Sequence, residues 1–143
     1  MSVLEQLQGD VTAAMKSGDR GRVQTLRLIV SELQKANKEG LGDEVEVLQR
    51  ERKRRLEAAD AYADGGRDDL AGSERAEAEL IESYMPEQVS DDELHAIVGD
   101  AVAESGASSP QEMGKVMSLV MPKVKGRADG KRVSAVVKDK LAP

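Results

Sequence analysis

Apolar residues recur along this chain at the spacing of a helix face. Leu4, Leu7, Val11, Ala14 and Met15 fall three and four residues apart, on one side of a 3.6-residue repeat. Ser2-Val-Leu-Glu5 ahead of them is a capping box, in which Ser and Glu can each satisfy an orphan N–H. Ser17-Gly18-Asp19 interrupts the stripe, and Asp19 is placed to cap a second helix. That helix turns Val23, Leu26, Ile29, Val30 and Leu33 inward and runs to about Lys38, where Gly40 and Gly42 supply a stop. A third helix is predicted from about Asp43 to Ala63, with Val45, Leu48, Leu56, Ala59 and Tyr62 inward. After Asp64-Gly-Gly66, a fourth spans about Arg67 to Met85 through Leu70, Leu80, Ile81 and Tyr84, with Ala71-Gly-Ser73 a candidate break.

Pro86 stops the fourth helix, because the residue before a proline is pushed out of the α region. Ser90-Asp-Asp-Glu93 is a second capping box, opening a helix that buries Leu94, Ile97, Val98, Ala101 and Val102. Ser109-Pro-Gln-Glu112 starts the next, whose apolar face is Met113, Val116, Met117, Val120 and Met121. Pro122 breaks it and opens a basic, Gly-punctuated loop to Gly130. Asp129 is placed to cap a last helix carrying Val133, Val136, Val137 and Leu141. No sustained period-2 alternation suggests a strand. The expectation is an all-α protein, a four-helix N-terminal unit (1–85) and a three-helix bundle (90–141), joined by residues 86–89.

Charge changes the picture in the second half. Residues 86–112 carry seven acids and no Lys or Arg, whereas residues 113–143 carry eight bases against Asp129 and Asp139. A total of −6 argues against indiscriminate nucleic-acid binding, but a confined positive surface can still steer one polyanion. Lys123, Lys125 and Arg127 alternate along the loop, and Gly126 and Gly130 let a partner approach the backbone. Such a loop, ending at a helix N-terminus, suits a backbone phosphate. The competing reading is that these bases pair with the acidic segment inside one bundle. A second basic run, Arg50-Glu-Arg-Lys-Arg-Arg55, distributes its charges all around a helix. It reads as a solvated face, partnered by Glu44, Glu46, Glu51 and Glu57.

The residue set offers no independent catalytic site. There is no Cys, His95 is the single histidine, and no Walker or dinucleotide glycine pattern occurs. Asp91, Asp92 and Glu93 are sequential and fan out around a helix, so neither metal nor cofactor is expected. Tyr62 and Tyr84 are the only aromatics, which disfavours stacking on unpaired bases. No apolar run approaches a membrane span, no secretory leader pattern opens the chain, and a cytoplasmic location is expected.

The run Met113-Gly-Lys-Val-Met117, then Met121-Pro-Lys-Val-Lys-Gly-Arg-Ala-Asp-Gly-Lys131 and Val137-Lys138, closely resembles the signature of the YqeY family. Thr25-Leu-Arg-Leu-Ile29, Gly66-Arg-Asp-Asp-Leu70 and Tyr84-Met-Pro-Glu-Gln88 look like that family too. The resemblance implies kinship with the C-terminal tail of the B subunit of bacterial tRNA-dependent amidotransferase, a carbon–nitrogen ligase using glutamine as amido donor. There, such a helical tail contacts tRNA while a larger preceding domain, which has no counterpart in this sequence, does the chemistry. What it implies here is a cytoplasmic, bacterial, tRNA-binding accessory module, with Gly114, Lys115, Lys123, Lys125, Gly126, Arg127, Gly130 and Lys131 as candidate RNA contacts. Its partners would be tRNA or another folded RNA, and an amidotransferase or other protein. The alternative is a scaffold protein presenting its N-terminal helices to a protein partner, marked by an exposed apolar patch on them.

Overall fold

Polar caps set the helix starts. In the computed structural model, which describes residues 1–143, seven α-helices follow one another: α1 Val3–Ser17, α2 Arg20–Glu39, α3 Glu44–Asp64, α4 Asp68–Glu82, α5 Asp91–Ser105, α6 Met113–Val120 and α7 Gly130–Leu141. The side chains of Ser2, Asp19, Asp43, Ser90 and Asp129 each accept a hydrogen bond from the amide three residues on. Gly18, Gly40 and Gly106 close α1, α2 and α5 in the left-handed conformation. The protein is all-α, with α1–α4 forming an N-terminal four-helix segment and α5–α7 a C-terminal three-helix unit. The chain divides into Met1–Met85 and Pro86–Pro143.

In the first unit, Leu7, Leu26, Ile29, Leu33, Leu48 and Ile81 are fully buried and form a core contributed by all four helices. Each such side chain gains about 1.5–3 kcal/mol from leaving water. Glu44, at the start of α3, adds a cap that no local pattern reveals. Its two oxygens accept from the amides of Val3 and Leu4, at 3.2 and 2.8 Å. α3 and α4 are joined by a short turn and pack along their length, with the alanines Ala59, Ala71 and Ala78 buried.

Three expectations for this unit need correction. α4 is unbroken through Ala71-Gly-Ser73, because Ala71 is buried in the helix interface and holds the register. Tyr62 is exposed rather than inward, while Val47 is buried; the buried face of α3 lies to one side of the predicted stripe. The run at 50–55 is not simply a solvated face. Glu51 is buried and binds both Arg54 and Arg55, Arg52 reaches Glu82 of α4 at 3.4 Å, and Arg55 reaches Glu77 of α4 at 3.4 Å. Alanines bring the two backbones close enough for long guanidinium arms to span the seam.

In the second unit, Leu94, Val98 and Ala101 of α5 meet Val116 and Val120 of α6 and Val133, Val137 and Leu141 of α7. Val89 joins that core, so residues 86–89 are built into this unit. A 3-10 turn, Pro110–Glu112, leads into α6, and Ser109 makes no side-chain cap there. Another, Met121–Lys123, prolongs α6 past Pro122.

Candidate nucleic-acid interface

Pro122 would be expected to release the chain into an open loop, but the segment to Asp129 is wound tightly. The Val124 amide donates to Val120 O at 3.2 Å, and the amides of Arg127 and Ala128 both donate to Val124 O, at 2.7 and 3.1 Å. Val124 and Ala128 are buried in the core, so the alternation Lys123-Val124-Lys125 puts charges outside and the apolar residue inside. Sequence pattern misses these two core residues because basic neighbours mask them. The winding also consumes backbone donors that an anion would otherwise have used.

Gly126 and Arg127 are the loop's fasteners. Gly126 is buried with φ of 74°, a left-handed conformation that suits glycine, and its carbonyl accepts from the Gln88 side chain at 3.0 Å. The Arg127 carbonyl accepts from the Val89 amide at 2.9 Å, and its Nε donates to Glu87 O at 2.9 Å. The two terminal nitrogens fork onto Glu93 at 3.3 and 3.2 Å. Arg132 is held in the same way, by Asp91 at 2.8 Å. The first-turn acids of α5 therefore face both arginines of this unit and favour the α5 N-terminus electrostatically.

The lysines are placed differently. Lys115 and Lys123 are exposed, and their ammonium groups stand 3.7 Å from Glu112 and Glu104, loose surface pairs with little hold. Lys125 is exposed and engaged within the chain. Lys131 and Lys138 are exposed and in no ion pair, one heptad apart on the face of α7 opposite its buried valines. Gly114 is exposed on α6 with open space around it, and Gly130 begins α7 beside its Asp129 cap. Of the eight bases in residues 113–143, Lys115, Lys123, Arg127 and Arg132 pair with acids of the 86–112 segment. The arrangement fits the binding of a polyanion through lysines, on a frame riveted by arginines.

No group of three or more acidic or histidine side chains converges on a point that could hold a metal ion. No helix is long and apolar enough to cross a membrane. The one strongly perturbed group lies in the first unit. The Tyr84 phenol donates to the Asp10 carboxylate, and burial, then that carboxylate, push its pKa up to about 12 against an opposing pull from Arg22. The sequence carries no sign of this contact, whose partners are far apart along the chain.

Two comparisons with known proteins show what the chain is similar to. A protein named Altered inheritance of mitochondria protein 41, mitochondrial, from Pyrenophora tritici-repentis (strain Pt-1C-BFP), is 28% identical over 145 aligned residues, which cover 96% of this chain and 80% of that protein. The family model described as Yqey-like protein matches residues 4–141, from the first stripe of α1 to the end of α7, and the chain therefore belongs to the YqeY-like family.

Proposed function

We propose that this protein is an RNA-docking accessory module of the cytoplasm, and that its C-terminal unit holds folded RNA, tRNA foremost, through backbone phosphates. The observation that carries this reading is the pair Lys131 and Lys138, exposed on one face of α7 without carboxylate partners. Lys115, Lys123 and Lys125 extend the set. Loose pairs such as those of Lys115 and Lys123 yield readily to phosphate. Gly126 and Arg127 take part by shaping the loop, and Gly114 and Gly130 leave backbone within reach. The shortage of aromatics supports recognition by shape and phosphate rather than by stacking. The kinship of the YqeY-like family with the amidotransferase tail favours tRNA over other polyanions, and delivery of tRNA to such an enzyme is the corresponding biological role.

The test is a gel shift with purified tRNA over a range of salt concentrations. Lys115→Ala, Lys123→Ala, Lys131→Ala and Lys138→Ala together should weaken binding and flatten its salt dependence. Each lost phosphate contact removes about 0.7–0.9 from the slope of log K against log salt. Unchanged affinity and slope in the quadruple variant would refute the reading.

A second reading, docking of a protein partner by the N-terminal helices, is favoured by the exposure of Met15 and Leu28.

A further inference from the structure

One face of α2 is only partly covered by its neighbours. Arg20, Val23, Gln24, Arg27, Leu28 and Ser31 follow the rhythm of a single helical stripe, and they floor two adjoining open troughs of about 690 and 400 Å3 that share Gln24 and Arg27. Ala14 and Met15 of α1 line one end, and Glu77 of α4 the other. From Arg20 to Ser31 the stripe runs roughly 16 Å, about three helical turns. Met15 and Leu28, each 55% exposed, are the large apolar side chains that the troughs leave open to solvent.

The electrostatics of the groove are one-sided. Its single acid, Glu77, is already paired with Arg55 at 3.4 Å. Arg20 and Arg27 are exposed and in no ion pair; Arg27 touches only the Met15 sulfur, at 3.5 Å. A protein of net charge −6 thus holds two guanidinium groups outside any ion pair along this stripe, two helical turns apart.

We infer that this groove docks an acidic amphipathic helix from another protein, its apolar side chains against Met15 and Leu28 and its carboxylates on Arg20 and Arg27. The two arginines lie about 10 Å apart along α2, which matches carboxylates seven residues apart on a helix laid alongside. A three-turn groove with exposed Met15 and Leu28 among polar side chains suits this recognition mode, and guanidinium forks bind carboxylates in bidentate fashion. A nucleic-acid strand is a poorer occupant. The groove has no aromatic face for bases, and phosphates would leave Leu28 and Met15 in water.

Selection of displayed 16-residue peptides on the full chain tests this inference, followed by fluorescence anisotropy with the enriched sequences. Enriched peptides are expected to carry apolar residues at helical spacing and acidic residues seven apart. Arg20→Glu with Arg27→Glu, and separately Leu28→Ser, should weaken binding roughly tenfold or more. Because all three side chains are exposed, melting temperatures should not change. A peptide with its acids changed to lysine should regain affinity for the double charge-reversal variant, which a merely structural effect would not allow. The inference is overturned if no peptide is enriched, if enriched peptides lack acids, or if binding survives these substitutions. It is equally overturned if labelled tRNA or anionic vesicles, rather than peptide, depend on Arg20 and Arg27. The lysines of α6 and α7 are untouched by these variants, so the outcome is independent of the RNA reading.

Discussion

Replacing Arg127 with alanine separates a frame residue from a contact residue. In the family motif Arg127 sits among lysines and looks like one more phosphate ligand. In the fold it donates to Glu87 O at 2.9 Å and forks onto Glu93 at 3.2 and 3.3 Å. The bond to the carbonyl, exposed to solvent, is worth about 1–1.5 kcal/mol. The ion pair adds less, roughly 0.2–0.5 kcal/mol, because the arginine and glutamate side chains are 34% and 46% exposed and water screens them. Arg127→Ala should therefore destabilise the C-terminal unit by about 1–2 kcal/mol, each kcal/mol lowering its melting temperature by roughly 4–8 °C. Hydrogen exchange supplies a local readout: the Val89 amide bonds to the Arg127 carbonyl, and its protection should fall as the 87–89 segment loosens. At a temperature where the variant is folded, its tRNA salt slope should match the wild type, whereas Lys131→Ala should lower the slope by about 0.7–0.9 without loss of stability. The opposite result, an unchanged melting temperature and Val89 protection with a flattened slope, would show that Arg127 faces phosphate and that its clasp is dispensable.

Glu51→Ala should cost about 3 kcal/mol, since it strands Arg55 in the α3–α4 seam, whereas Glu57→Ala, at an exposed pair, should change stability by less than about 0.5 kcal/mol. Similar urea midpoints for the two variants would remove the seam from the account of stability. Gly126→Ala forces a Cβ into the left-handed region at φ 74° and should cost about 1–2 kcal/mol, read from the same denaturation curves; a neutral effect would mean that the turn can relax. Tyr84 ordinarily titrates near 10.0 and is raised to about 12 in the fold. The folded phenol holds its proton more tightly than the unfolded one, so this stabilisation is complete below pH 10 and is lost as pH climbs towards 12. Phenolate absorbance in a Tyr62→Phe background should show the raised midpoint, and Tyr84→Phe should flatten the stability loss across that window; a midpoint near 10 would refute the Asp10 contact.

Local signals were legible and long-range ones were not. Ser2, Asp19, Ser90 and Asp129 each cap a helix from a position readable within four residues, and the apolar stripes of α2, α5 and α7 point where the period says. Glu44 capping α1, the burial of Glu51, and Tyr84 bonded to Asp10 depend on packing between helices, which no window along the chain contains. Val124 and Ala128 fail for a different reason. Each is a single apolar residue in a charged run, too isolated to register as a period, yet a tight winding after Pro122 delivers both to the core. The basic loop was conspicuous by its charge, but its internal division between arginines and lysines was not.

That division follows from the chemistry of the two cations. Guanidinium presents a rigid fork that can bind a carboxylate and a carbonyl at once, and Arg127 does so with Glu93 and Glu87. Ammonium is a compact, strongly hydrated charge on a flexible stem, which gains less from one fixed partner and stays available to a mobile one. Arg132 and, in the first unit, Arg52, Arg54 and Arg55 follow the same rule, bound to acids across or along helices, while Lys131 and Lys138 stay in water. A count of basic residues therefore overstates the positive surface left open, and the lysines measure it better. It also makes Arg20 and Arg27 conspicuous. Arginines left without carboxylates beside exposed Met15 and Leu28 run against the use of arginine in the seam and the clasp. In the seam and the clasp the guanidinium groups meet carboxylates, and a carboxylate supplied from outside is the partner inferred for these two.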